Sequence, residues 1–336
     1  MPAARRPPHA RRLALAAALA FAAGCASAPR STPGAGPVVP DEVAVRSGGR
    51  VIHVPLEDYV LASVLSEVSP VGESDQVVAR IFEVQAVIAR TYAAANLGRH
   101  RAEGFDLCDG THCQLYDPAR IRTSRFAPEA RAAVARTAGE ILLYGRHPIE
   151  AVYHADCGGR TAAAADVWGG SLPYLTGHAD DDVQVRHRTW QVRVSADALR
   201  TALNADARTR IGAHLQALSV TRVDGSGRAA ALEVDGDSSR TVSGEAFRSI
   251  VNQALTGQGL MSTRFTLTGD PGRGYLFAGT GFGHGVGLCQ VGAAARARAG
   301  QSVPDILEAY YPGAALVRPA SSSGHGPRPF PGGSGG

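Results

Sequence analysis

Glycine occupies positions 279, 281, 283, 285 and 287, and the run Gly281-Phe-Gly-His-Gly-Val-Gly-Leu-Cys-Gln290 that results admits few folds. Glycine at every second residue marks a backbone that passes close to something or takes up positive φ. Tyr275-Leu276-Phe277 ahead of it reads as a strand, and the alanine-rich stretch after Gln290 reads as a helix. A strand, glycine loop and helix can cradle a phosphate, but the spacing here is not G-x-G-x-x-G and no lysine follows. His284 and Gln290 are left as the loop's strongly polar side chains.

The rest of the chain can supply a core around such a loop. It has 336 residues, 44% of them hydrophobic and 19% charged, which is enough for one large domain or two modest ones. The formal charge of +4 comes from arginine, since the chain contains no lysine, and the arginines are scattered. Nucleic-acid binding therefore finds no support.

The first 25 residues read as an export signal. Arg5, Arg6, Arg11 and Arg12 precede an apolar run from Leu13 to Gly24 that is too short to span a bilayer. Ala22-Ala-Gly-Cys25 resembles the lipobox of bacterial lipoproteins, so Cys25 is expected to carry lipid; the alternative is plain secretion with cleavage after Ala28. Residues 26–42, rich in proline, serine and glycine, read as a tether, residues 43–318 as the folded domain, and residues 319–336 as a disordered tail. Everything downstream of the leader is expected to work outside the cytoplasm.

Within the domain the punctuation predicts mixed helix and strand. Val43 to Pro55 reads as strand and turn, and a helix runs from Pro55 to Glu67 with Glu57 and Asp58 in its first turn. A longer helix from Gln76 to Leu97 has an apolar stripe of Val77, Ile81, Val84 and Ile88, with Glu83 and Arg90 together on the opposite face. Pro128 to Gly139 reads as helix, Glu140 to Tyr144 and Ile149 to Ala155 as strands, and Cys157 to Thr161 as a tight turn. From Thr189 strands dominate, with helices starting at Ser195 and Ser243 and a hairpin about Asp224 to Arg228. The fold class expected is α+β, with a substrate groove between helical and β-rich parts.

Four cysteines remain beside Cys25. Cys108, His112 and Cys113 lie close together, and His100 is eight residues upstream of Cys108, so four zinc-type donors could meet in a tetrahedron. The alternative is a Cys108–Cys113 disulfide, which an oxidising compartment permits. Cys157 and Cys289 each adjoin a glycine loop, either as a disulfide or as two thiols.

Six segments occur in an order that resembles the stage II sporulation protein D family. They are Pro55-Leu-Glu-Asp-Tyr-Val60, Ser66-Glu67-Val68, Glu83 to Tyr92, Tyr153 to Thr161, Leu172 to Leu175 and Gly283 to Gln290, followed by Tyr310-Tyr-Pro-Gly313. The resemblance implies a peptidoglycan lytic transglycosylase or an amidase-enhancer relative, with peptidoglycan strands, and an amidase or other cell-wall enzymes, as partners. It also implies that Glu67 is the catalytic acid. A carboxyl in the last turn of a helix faces the negative end of the dipole, and Val64, Leu65 and Val68 can desolvate it, so both effects hold the proton on. Arg90, Tyr153, His154, Arg160, His284 and Gln290 fall in matched segments and, with Gln114, are the expected groove residues. Glu83, Asp156 and Asp166 are candidates for a second acid. Some family members hold zinc in a cysteine and histidine cluster of this kind, which implies a structural ion at His100, Cys108, His112 and Cys113, and no cofactor in the chemistry. A noncatalytic glycan-binding lipoprotein and a zinc hydrolase are the competing readings; the hydrolase lacks an H-E-x-x-H signature.

Overall fold

The computed structural model describes residues 39–180, 185–255 and 259–319. The leader, Cys25 and most of the tether and tail lie outside the described residues. The described chain begins with an antiparallel hairpin, β1 (Glu42–Ser47) and β2 (Arg50–Pro55), to which β3 (Leu107–Cys108) later adds in parallel. Pro55 ends β2 and stands directly before α1 (Leu56–Glu67), where its missing N–H costs nothing. Glu57 and Asp58 occupy the first turn, and Val68 ends the helix in extended conformation.

The 21-residue α2 (Asp75–Ala95) is buried on opposite sides, and this organises the first part of the molecule. Val78, Phe82, Ala86, Ala89 and Ala93 join a core made with α1, β1 and α4 (Ala127–Arg136), which follows the short α3 (Arg120–Thr123). Val77, Val84, Val87 and Ile88 face a second core on the other side. The stripe legible in the sequence is thus only one of two.

Helix α2 also corrects an expectation. The sequence places Glu83 and Arg90 on one outer face and makes Arg90 a groove residue; the structure separates them. Glu83 pairs outward with Arg136 at 2.5 Å, whereas Arg90 is fully buried. Its guanidinium forks onto Glu57, Nε to Oε1 at 2.8 Å and Nη2 to Oε2 at 2.6 Å, and Nη1 donates to the Glu140 carbonyl at 3.0 Å. The planar fork matches the carboxylate, so Arg90 ties α1 to α2 and cannot reach substrate.

The chain continues through β4 (Ile141–Tyr144), β5 (His147–Pro148), β6 (Tyr153–His154) and α5 (Ala164–Trp168). Only two residues of the strand expected over Ile149 to Ala155 pair as strand, and Ile149 and Ala151 are packed into the second core. A β-rich lobe follows: β7 (Thr189–Val194), α6 (Ala196–Ala205), β8 (Leu215–Val223), β9 (Ala229–Gly236), β10 (Arg240–Ser243), α7 (Gly244–Ala254), β11 (Phe265–Asp270) and β12 (Gly274–Thr280). Its strands form two antiparallel three-stranded sheets, ordered β10-β9-β8 and β11-β12-β7. On β7 the inward residues Trp190, Val192 and Val194 alternate with exposed ones, as a half-buried strand requires. Ser195 and Ser243 cap α6 and α7, their hydroxyls accepting the Ala198 and Ala246 N–H groups. This lobe has its own core, centred on Phe247, Phe265 and Phe277.

After β12 the chain returns to the second core as β13 (Leu288–Cys289), α8 (Gln290–Arg298), α9 (Val303–Tyr310) and β14 (Ala315–Val317). There β13 pairs in parallel with β6, and β14 pairs antiparallel with β4. The architecture is α+β, as expected.

The buried fork yields a test. Glu57→Ala leaves the Arg90 guanidinium buried without its carboxylate and is expected to lower the unfolding free energy by about 3 kcal/mol. Arg90→Met, which removes the charge itself, is expected to cost clearly less in the same urea titration. Equal losses for both would show that the pair does not carry this contact.

Candidate active site

The glycine segment is laced along residues 152–162. Phe282 and Asp156 exchange backbone hydrogen bonds at 2.8 and 3.0 Å, Ala162 N–H donates to the Gly285 carbonyl at 2.8 Å, and Leu288 N–H donates to the Val152 carbonyl at 3.2 Å. Two glycines are required by contact as well as by positive φ. A Cβ on Gly287 would stand 2.0 Å from the Val152 oxygen, and one on Gly285 would stand 2.3 Å from Cζ of Arg228. Arg228 comes from the β-rich lobe, is 1% exposed, and donates to the carbonyls of Cys157 at 2.8 Å and Arg160 at 3.0 Å. Arg264 adds a bond to the Gly158 carbonyl at 2.6 Å. The lobe therefore grips the turn that follows β6.

That packing sets Tyr153 between the loop and the end of α1. Glu67, partly exposed as the last residue of α1, accepts the Leu115 N–H at 2.7 Å and a hydrogen bond with the Tyr153 side chain. Burial raises the Glu67 pKa above the ordinary carboxylate value, and the bonds from Leu115 and Tyr153 oppose the rise without cancelling it. The Tyr153 hydroxyl also reaches Gln114 Oε1 at 3.3 Å, while Gln114 Nε2 donates to the Ala89 carbonyl at 3.1 Å. Burial, and then the Glu67 carboxylate, push the Tyr153 phenol well above its usual range, so it stays a neutral donor.

His284 meets the same tyrosine from the other side. Its Nδ1 accepts the Val286 N–H at 3.1 Å, which assigns the neutral ring a proton on Nε2, and the ring hydrogen-bonds the Tyr153 backbone. Desolvation, reinforced by Arg248, pushes its pKa down to about 4. The indole of Trp168 stands 5.2 Å from the His284 ring and is 48% exposed, whereas the other tryptophan, Trp190, is buried. Trp168 escaped the sequence reading; its local signal was a tryptophan ahead of Gly169-Gly170.

The other expected groove residues divide. Gln290 is partly exposed and bonds the buried Gln85 at 3.3 Å. Gln114 and His154 are buried, at 2% and 4%, and act behind the surface: His154 Nδ1 bonds the Val286 carbonyl at 3.1 Å, holding the loop. Arg160 is exposed, with its backbone bridged to Ala179.

His100, Cys108, His112 and Cys113 do come together, their donor atoms all within 4.8 Å of one another. His100 Nδ1 bonds Glu103 at 2.6 Å, which turns Nε2 toward Cys113 Sγ at 3.4 Å. A carboxylate behind the histidine is the arrangement that orients a metal ligand, and two cysteines with two histidines suit zinc. The residues fit that ion. Both cysteines are free, with their sulfurs 3.1 Å apart. The cluster immediately precedes Gln114 and Leu115, so whatever orders it also orders the N–H that holds Glu67. Cys157 and Cys289 are free and buried side by side, the Cys157 N–H donating to Cys289 Sγ at 3.2 Å.

Residues 46–144 match the family model described as stage II sporulation protein, and residues 175–287 match a domain of unknown function. An uncharacterized protein of Brachyspira hyodysenteriae is 29% identical over 268 residues, 78% of this chain and 66% of that protein. Stage II sporulation protein D of Bacillus amyloliquefaciens is 29% identical over 84% of this chain and 82% of its own length. An amidase enhancer of Bacillus subtilis is 27% identical over 70% of this chain but only 37% of its own length. Glu67 and the cysteine and histidine cluster lie inside the segment matched to that family model, and together with these relatives the match supports assigning the chain to the stage II sporulation protein D family.

Proposed function

We propose that this chain is an exported peptidoglycan lytic transglycosylase in which Glu67 is general acid and then general base. The observation that carries the reading is the environment of Glu67: a desolvated carboxyl with a raised pKa, steadied by Leu115 N–H and by Tyr153, whose backbone in turn bonds His284. Protonated Glu67 donates to the glycosidic oxygen between N-acetylmuramic acid and N-acetylglucosamine. The resulting carboxylate takes the proton of the muramic 6-hydroxyl as that oxygen bonds to the anomeric carbon, closing a 1,6-anhydro ring. Because the substrate supplies the nucleophile, one carboxylate suffices where an ordinary glycosidase uses two. The other candidate acids fit that economy: Glu83 is held by Arg136, and Asp156 accepts from His187 and the Arg188 N–H.

Trp168 offers the sugar an aromatic face, and the glycine segment lets a ring approach the backbone. His100, Cys108, His112 and Cys113 would hold zinc with all four positions filled by protein, leaving it to brace the loop that ends in Leu115. Export, and attachment to a membrane through lipid on Cys25, belong to the same reading; among the described residues no helix is long and apolar enough to cross a membrane. A second reading rests on the similarity to a protein named amidase enhancer. In it the same groove presents peptidoglycan to a separate amidase, and Glu67 does no chemistry.

Three outcomes test the proposal. Glu67→Gln should lower the release of anhydro-muramic products from purified glycan strands by about 100-fold or more, read by mass spectrometry. Unchanged support of an amidase by this variant, with no anhydro product from the wild type, would favour the second reading. Tyr153→Phe removes a hydrogen bond that lowers the Glu67 pKa, so that pKa rises further. Since Glu67 must start protonated, the alkaline limb of the rate profile should move to higher pH; a limb that stays or moves down would remove Glu67 from the role of acid. Finally, the purified protein should carry one equivalent of zinc by elemental analysis, and Cys113→Ser should lose it and melt roughly 5 °C lower.

A further inference from the structure

The segments that frame Tyr153 and His284 continue into a cavity. Two residues beyond Tyr153 lies Ala155, and two before His284 lies Phe282; together with Asp156, Arg186, His187 and Arg188 they enclose about 400 Å³. The Asp156 carboxylate is 4% exposed and lies behind this surface, with Oδ1 accepting from His187 at 2.7 Å and the Gly158 N–H at 2.8 Å, and Oδ2 accepting from the Arg188 N–H at 2.6 Å. It builds the wall and fixes where Arg188 starts. The side chains of Arg186 and Arg188 are exposed, and among the described residues neither meets a carboxylate. Phe282 is 43% exposed, with the Arg188 guanidinium 5.8 Å from its ring centre.

An exposed aromatic face beside two guanidinium groups that meet no carboxylate among the described residues suits a sugar that carries a carboxylate: the ring lies on the phenyl, and the charge meets an arginine fork. We propose that this cavity is a second glycan subsite, in which Phe282 seats a muramic sugar and Arg186 and Arg188 bind the carboxylate attached to it. The inference rests on the peptidoglycan reading of the Glu67 groove. Both sites draw on the same short stretch, Tyr153 to Asp156, so one strand is expected to run across both. The carboxylate has two sources. It belongs either to the stem peptide or, once that peptide is removed, to the bare lactyl ether of the sugar.

The test uses the full chain carrying Glu67→Gln, so that binding is read without turnover. Three probes are titrated: peptide-bearing glycan strands, peptide-stripped strands, and stripped strands whose carboxylates have been amidated. Adding Arg186→Ala and Arg188→Ala together should weaken at least one acidic strand about ten-fold and leave the amidated strand unchanged. The acidic strand that weakens identifies the source of the carboxylate. Phe282→Ala, independently, should weaken all three. Acidic and amidated strands that bind the parent equally, or an arginine variant that binds all three like the parent, would overturn the subsite and leave the glycan groove standing. A parent that binds none of the three would overturn the glycan reading itself, and the subsite with it.

Discussion

The site exists because the backbone of the glycine segment lies almost in contact with residues 152–162. At Gly287 the approach to the Val152 carbonyl leaves no room for a side chain, and at Gly285 the space is filled by the buried Arg228. A parallel pairing of only two residues, Leu288 with Tyr153 and Cys289 with His154, then sets the register. From that register Tyr153 faces Glu67 with its hydroxyl while its backbone meets His284. A methyl group at either glycine would part the two walls, because neither a carbonyl nor a braced arginine can yield by the distance required.

The second dependence is on α2. It serves two cores, so its contacts hold together parts of the chain far apart in sequence: α1 and α4 on one side, and α8 and α9 on the other. Arg90 in its centre is stable only because Glu57 and the Glu140 carbonyl complete its hydrogen bonds, and losing one partner costs more than the pair contributes. This scaffold keeps the end of α1 still enough for a desolvated carboxyl to remain there. Holding Glu67 at a raised pKa works against stability at neutral pH, since the folded state then disfavours the charged form. Such a cost is usual where a residue is placed for chemistry.

The site also draws on stretches that the comparisons treat apart. Glu67, Gln114, Leu115 and the cysteine and histidine cluster lie within residues 46–144, the segment matched to the family, whereas Tyr153 and Trp168 fall outside both matched segments. His284 and Phe282 fall within residues 175–287. The chain crosses the β-rich lobe before it returns to pair with the strand that carries Tyr153. That lobe contributes Arg228 and Arg264 to the turn after β6, so its role in the site is structural as well as spatial.

Local chemistry made much of this legible in advance. Proline before α1 and the extended Val68 after it bound a helix that ends on Glu67, serine caps mark α6 and α7, and alternation marks β7. Each is decided by neighbours within a few residues. Arg90 was misplaced because its position on α2 looks like an outer face, and the carboxylate that buries it is 33 residues away. Trp168 gave no sign of where it would stand. What the sequence determined by itself is the longer helices and strands, the metal-type donors and the need for glycine at the loop. What only the tertiary structure decided is which groups meet: Glu67 with Tyr153, Tyr153 with His284, and Arg228 with the turn it braces. Those meetings depend on long-range packing of two cores around α2, and residue spacing along the chain carries no record of them.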